Sequence, residues 1–183
     1  MMTDGSLSFV PLGSPLSLVG AANQTFASNV LDLLGAGVGQ APPGIIGNVS
    51  VYGSPDAKGI GKERPEINCV MGAALIAVGG ATLNAALQAA IDTGAGGGYQ
   101  PGAWQNIASE DGMTAAQLVA STVFLRFPFL PPFPANLRPR FVRILFSPST
   151  GGSFTQGTVA SALVTTMRDD YSIKYAANNY KVA

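Results

Sequence analysis

Any chemistry in this chain falls to carboxylates, hydroxyls and arginines, because its 183 residues contain no histidine and a single cysteine. That composition removes histidine-dependent acid–base catalysis, Ser-His-Asp and Cys-His nucleophile systems, and imidazole metal sites together. Cys69 alone can form neither a zinc site from the usual ligands nor an internal disulfide. It lies in the apolar run INCVMGAALIA and is expected to be a buried small hydrophobe.

The carboxylates Asp32, Asp92, Glu110, Asp111, Asp169 and Asp170 include two adjacent pairs, neither with calcium-loop spacing or a glycosidase motif. Asp169-Asp170 directly follows Arg168, where mutual neutralisation is the simplest role. A carboxylate enzyme would need two acids across a cleft, such as Asp32 with Asp92 or Glu110. GAGVG at 35–39, with Asp56 about 20 residues beyond, has the outline of a dinucleotide fingerprint. Ala41-Pro42-Pro43-Gly44 stands where the helix should begin, so no helix N-terminus receives a pyrophosphate and no cofactor is expected.

The arginines are better clustered. Arg126, Arg138, Arg140 and Arg143 fall in a stretch, 112–167, without an acid, although the ten basic and ten acidic residues of the chain cancel. Phe127, Phe133 and Phe141 interleave with them, as a nucleic-acid groove would require. Phenylalanine mixed with proline reads more naturally as core and connecting loop. The arginines are then bidentate partners for carboxylates on another protein or, equally, for the chain's own acids.

The elements that must position these residues are short. Twenty-three glycines and 13 prolines separate apolar segments, which suits an all-β fold. Strands are expected at 29–34, along 67–77, at 104–108 and at 141–146, the last rich in β-branched and aromatic residues. SPSTGGSFTQG, 147–157, reads as the connection from that strand to its partner at 158–166. ATLNAALQAAID, 81–92, is helical by propensity. Leu83, Ala85, Leu87, Ala89 and Ile91 nevertheless alternate with Thr82, Asn84, Ala86, Gln88 and Ala90, and the period of two predicts a strand.

FLRFPFLPPFPANLRPR, 124–140, contains overlapping P-x-x-P spacings that resemble a polyproline ligand. Phe124, Phe127, Phe129 and Phe133 are too many buried-type side chains for an exposed linker. The prolines forbid ladder hydrogen bonds, so the stretch is expected to cross from one sheet to another. Residues 1–28 and 168–183 read as extended N- and C-terminal arms around a domain at 29–167. In the second arm Tyr171, Tyr175 and Tyr180 are either interface anchors or packing against the chain's own domain.

Only 11% of residues are charged, which favours life in an assembly over free solution. No apolar run approaches the roughly 20 residues of a membrane span. The start MMTDGSLSFVPLG lacks the basic, uninterrupted character of a secretory leader, so synthesis in the cytoplasm is expected, and the sequons at Asn23 and Asn48 are not expected to be used.

In order along the chain, SNVLDLLGAGVG, GGATLNAALQAAID, AWQNIAS with AAQLVAS, RPRFVRILF and GSFTQGTVASALV resemble the jelly-roll capsid cement, or decoration, proteins of tailed bacteriophages, of the Bordetella-phage type. The resemblance covers about 28–167. It implies a two-sheet jelly-roll β-sandwich without catalysis or cofactor that binds the outer surface of an assembled capsid and bridges neighbouring capsomers. Its partners would be the major capsid protein and further copies of itself, as dimer or trimer, with no direct nucleic-acid or membrane contact. Candidate capsid or protomer contacts are Arg126, Arg138, Arg140, Phe133, Tyr171, Tyr175 and Tyr180. The alternative is a carbohydrate-binding jelly roll used in host adsorption, with Trp104, Tyr99 and Tyr52 as stacking platforms.

Overall fold

The computed structural model describes residues 8–32, 65–94, 100–128 and 139–166, and every regular element among them is a strand. In chain order these are β1 (Ser8–Val10), β2 (Leu16–Ser17), β3 (Phe26–Ala27), β4 (Leu31–Asp32), β5 (Pro65–Met71), β6 (Ile76–Val78), β7 (Leu83–Ala90), β8 (Gln105–Met113), β9 (Val123–Pro128), β10 (Phe141–Pro148), β11 (Ser153–Gln156) and β12 (Thr158–Thr166). One five-stranded sheet has the order β1-β12-β5-β9, with β2 also on β12. The other has the order β3-β10-β7-β8, with β4 also on β10, and β6 with β11 makes a two-stranded ribbon. All of these pairings are antiparallel.

The two sheets share one core. Ile67, Cys69 and Met71 of β5 and Val159, Ala162 and Val164 of β12 join Leu83, Ala85 and Leu87 of β7 and Val142, Ile144 and Phe146 of β10 in a single hydrophobic cluster. Phe124 of β9 meets Phe146 of β10 from the opposite sheet, with ring centroids 6.3 Å apart. This two-layer arrangement is consistent with a β-sandwich, in which each sheet buries its apolar face against the other. Each fully buried leucine or isoleucine in it contributes about 1.5–3 kcal/mol.

The ambiguous Ala-rich segment is strand β7. Its eight residues pair one for one with β10, from Leu83↔Pro148 to Ala90↔Phe141, and β8 covers its other edge. Both neighbours supply the hydrogen bonds that a helix would have made internally, so tertiary pairing overrides propensity. Leu83, Ala85, Leu87 and Ala89 are buried as the alternation predicts, but Ile91 lies past the strand end and is exposed.

Several expected elements are redrawn. The run at 67–77 is two strands, broken at Gly72, where an added Cβ would stand 2.5 Å from Thr158 Oγ1. The strand expected at 104–108 starts at Gln105 and continues through polar residues to Met113. The segments at 141–146 and 158–166 are not partners: β10 and β12 lie in opposite sheets, and the connection between them contains β11. Each is apolar on one face, and opposite layers bury both faces against one another.

Along β12 the core-facing parity changes, from Val159 to Ala162 and Val164. A register shift between Val159 and Ser161 causes it, because one extra residue flips every later side chain to the other face.

Residues 8–28 are not an extended arm. β1 and β2 pair with β12 while β3 pairs with β10, and Phe9 and Leu18 are fully buried, so this segment belongs to both sheets. The second arm, 168–183, lies outside the described residues, as do 129–138 in the middle of the proline-rich stretch. The flanks of that stretch do lie in different sheets: the chain leaves the first sheet at Pro128, with Phe127 buried, and enters the second at Phe141.

Candidate interaction surfaces

Among the described residues, Asp32, Asp92 and Arg140 meet at one end of the sandwich. Arg140, just before β10, donates from Nε and Nη2 to the two carboxylate oxygens of Asp32 at 2.9 and 2.8 Å, and from Nη1 to Asp92 at 2.8 Å. Its backbone N–H donates to Ala90 C=O, so the residue ties the end of β4, the start of β10 and the end of β7. Arg140 is 9% exposed and spent on the chain's own acids, so it is not an outward contact.

Its hydrogen bonds to Asp32 are the main influence raising the guanidinium pKa further above the ordinary arginine value. The Asp92 carboxyl is held below the usual carboxylate range, chiefly by the Gly94 backbone N–H, with Gln100 N–H and Arg140 adding to it. Asp32 and Asp92 are therefore brought together around one cation, each accepting hydrogen bonds from it. Glu110, the other acid considered for a cleft, is exposed on the edge strand β8.

A second group stands on the outer face of the same sheet, where Arg143, Gln88 and Asn106 occupy matching register positions of β10, β7 and β8. Arg143 Nε donates to Gln88 Oε1 at 2.9 Å, and Gln88 Nε2 donates to Asn106 Oδ1 at 2.8 Å. The guanidinium lies over Trp104, 4.1 Å from the ring centroid, a cation–π stack. Burial presses its pKa below the ordinary arginine value. Trp104 is half-buried and outside the core cluster.

At the opposite end the described connections carry no charge, and Glu110 and Asp111 stand exposed nearby, close to the end of β8. That end is built from four connections, at 18–25, 72–82, 114–122 and 149–157, none of which contains Asp, Glu, Lys or Arg. They form a hydrogen-bonded row. Leu75 N–H donates to Leu118 C=O, β6 pairs with β11, Gly20 N–H donates to Phe154 C=O, and Asn23 N–H donates to Gly152 C=O. Gly79 and Gly80 adopt φ of 64° and 75° in the turn closed by Ala81 N–H to Val78 C=O, a tight reversal disfavoured for residues with a Cβ.

Along that row Val19, Ile76, Val78 and Val119 each stand about half exposed. Several polar side chains between them are satisfied within the chain. Gln24 Oε1 accepts from Ala21 N–H, Asn23 Oδ1 from Gly151 N–H, and Gln117 Oε1 from Thr114. A surface with apolar tips and internally bonded amides gives up little when dehydrated.

Of the remaining contacts named from sequence, Arg126 is exposed on the edge strand β9, in the other sheet from Arg140. Arg138, Phe133, Tyr171, Tyr175, Tyr180, Tyr52 and Tyr99 lie outside the described residues. Cys69 is fully buried, and that burial drives its thiol pKa far up. The uncharged end was visible in the sequence only as charge-free stretches; pairing brought four of their loops together.

The chain matches no protein-family model and no curated protein by sequence.

Proposed function

We propose that this chain is a non-enzymatic capsid cement protein built on a jelly roll, which binds the outer surface of an assembled phage capsid and bridges neighbouring capsomers. Strand order supports the jelly-roll reading. With β1–β2 and β3–β4 each counted as one interrupted strand, and the β6–β11 ribbon set aside, eight strands nest as a folded-over hairpin. First pairs with last (β1 with β12), second with seventh (β3 with β10), third with sixth (β5 with β9) and fourth with fifth (β7 with β8), the wrapping of a double Greek key.

The observation that carries the function is the uncharged end. Four loops with exposed Val19, Ile76, Val78 and Val119 and no ion to desolvate make a surface suited to lasting association with another protein. A contact of about 1,000 Å² or more is what a stable interface requires, so in this reading the loops act together with neighbouring surface. The partners in this reading are the major capsid protein and further copies of the chain, made in the host cytoplasm and carried on the virion.

Co-sedimentation of purified protein with assembled capsids that lack it tests the proposal. Saturable binding that makes the shell more resistant to heat or low salt is expected. Protein remaining in the supernatant would remove the cement role and bring forward the glycan-binding alternative.

A further inference from the structure

Arg143 stands apart among the described cations. Arg140 is consumed by two carboxylates and Arg126 is exposed at a sheet edge, whereas Arg143 is half-buried and no described carboxylate pairs with it. Its neighbours in the strand, Val142 and Ile144, point into the core, so its own side chain lies on the outer face of the sheet. Three planar groups fix it there. Trp104 stacks against the guanidinium, Gln88 Oε1 accepts a hydrogen bond from the Nε–H, and Asn106 holds the Gln88 amide by accepting from its nitrogen.

This arrangement uses the ring face and Nε and leaves Nη1 and Nη2 without a described acceptor. Those two groups are hydrogen-bond donors on one rigid plane, suited to a carboxylate, and a partly desolvated cation without a counter-ion gains most from one. The Trp104 face toward Arg143 is already covered by the guanidinium, so a sugar ring cannot stack on that side while Arg143 holds its place. What the group can offer is a cation and not an open aromatic platform.

We propose that Arg143 is a binding residue for a carboxylate on a partner protein, an Asp or Glu side chain, with Trp104, Gln88 and Asn106 as its positioning residues. The inference rests on the chain being a binder of protein surfaces and adds a polar contact on a face other than the uncharged end. Its test contains no capsid, so it and the cement reading can fail separately.

Trp104 is the sole tryptophan, so its emission and its indole N–H resonance both report on this group. Protein at low ionic strength, where a solvent-facing ion pair is least screened, is titrated with end-blocked tetraglutamate, tetraglutamine, glucuronate and glucose. Tetraglutamate should give a saturable shift and tetraglutamine none. Arg143→Gln should abolish the shift, Arg143→Lys should weaken it about tenfold through loss of the planar fork, and Arg126→Gln should leave it unchanged.

No saturable shift in the wild type overturns the proposal, as does a shift that survives in Arg143→Gln with its amide spectrum still dispersed. Should that variant not fold, full-strength binding by Arg143→Lys overturns the fork in its place. Saturation by glucuronate without tetraglutamate overturns the protein assignment and makes the site one for acidic sugars.

Discussion

Arg140 grips Asp32 across 108 residues of sequence, one nitrogen to each carboxylate oxygen, and reaches Asp92 with a third. Two acids and one base from distant parts of the chain thus close the charged end of one sheet.

Removing the base leaves Asp32 and Asp92 without the cation they share, in a partly buried setting. Arg140→Ala should lower Tm by on the order of 5 °C or more, with Arg140→Lys intermediate because an ammonium cannot make the paired bonds. Thermal unfolding followed by circular dichroism checks this, and an Ala variant as stable as wild type would show that the clasp adds nothing.

Asp92 sets an acid limit, through the Gly94 N–H first and the Gln100 N–H and Arg140 after it. The folded Asp92 carboxyl lies below its unfolded value, ordinarily about 3.9, so as pH falls the unfolded chain takes up the proton first. The stabilisation is full above about pH 4 and disappears as pH drops through the folded value. Urea unfolding between about pH 2.5 and 7 should show wild type losing stability at the acid end more steeply than Asp92→Asn, the two curves converging there. Parallel curves would assign the acid sensitivity to other groups.

Charge placed on the uncharged end should separate binding from folding. Ile76→Glu with Val78→Glu alters two exposed side chains and should change stability by only about 0.5 kcal/mol each. The double variant should fail to co-sediment with capsids. Undiminished binding would move the contact to another face.

Gly152 permits the close approach that seats the ribbon connection. A Cβ there would stand 2.5 Å from Ala81 Cβ and 2.9 Å from Ser149 C=O. Gly152→Ala should destabilise by about 1–3 kcal/mol, measured by urea unfolding, since the chain must shift to admit the methyl. A neutral result would mean that this turn adjusts freely.

Cys69, fully buried with its thiol pKa driven up, should resist thiol reagents in native buffer and react as the chain unfolds. Labelling with a chromogenic disulfide across a urea series should follow the unfolding transition. Fast labelling in the absence of denaturant would reveal local opening of the sandwich centre, where β5 lies between β12 and β9.

Composition and alternation were enough to read an all-β chain with Cys69 inside, and Leu83, Ala85 and Leu87 on one face of a strand, because period two and turn chemistry are local properties. Partnership was not legible. Phe141–Phe146 and Thr158–Thr166 look like two arms of a hairpin, yet their apolar faces are best buried in opposite layers, and no local rule distinguishes those outcomes. Residues 8–28 looked like an arm because their strands are only two or three residues long and depend on β10 and β12 for pairing.

The candidate surfaces divide in the same way. The absence of histidine, the low charge and the arginine cluster were written in the residues themselves. Tertiary structure alone decided that Arg140 turns inward to Asp32 and Asp92, that Arg143 stacks on Trp104, and that four uncharged loops share one end. Each of those outcomes depends on contacts between residues far apart in sequence, and such contacts follow from strand order and register, which hydrophobic pattern constrains without choosing.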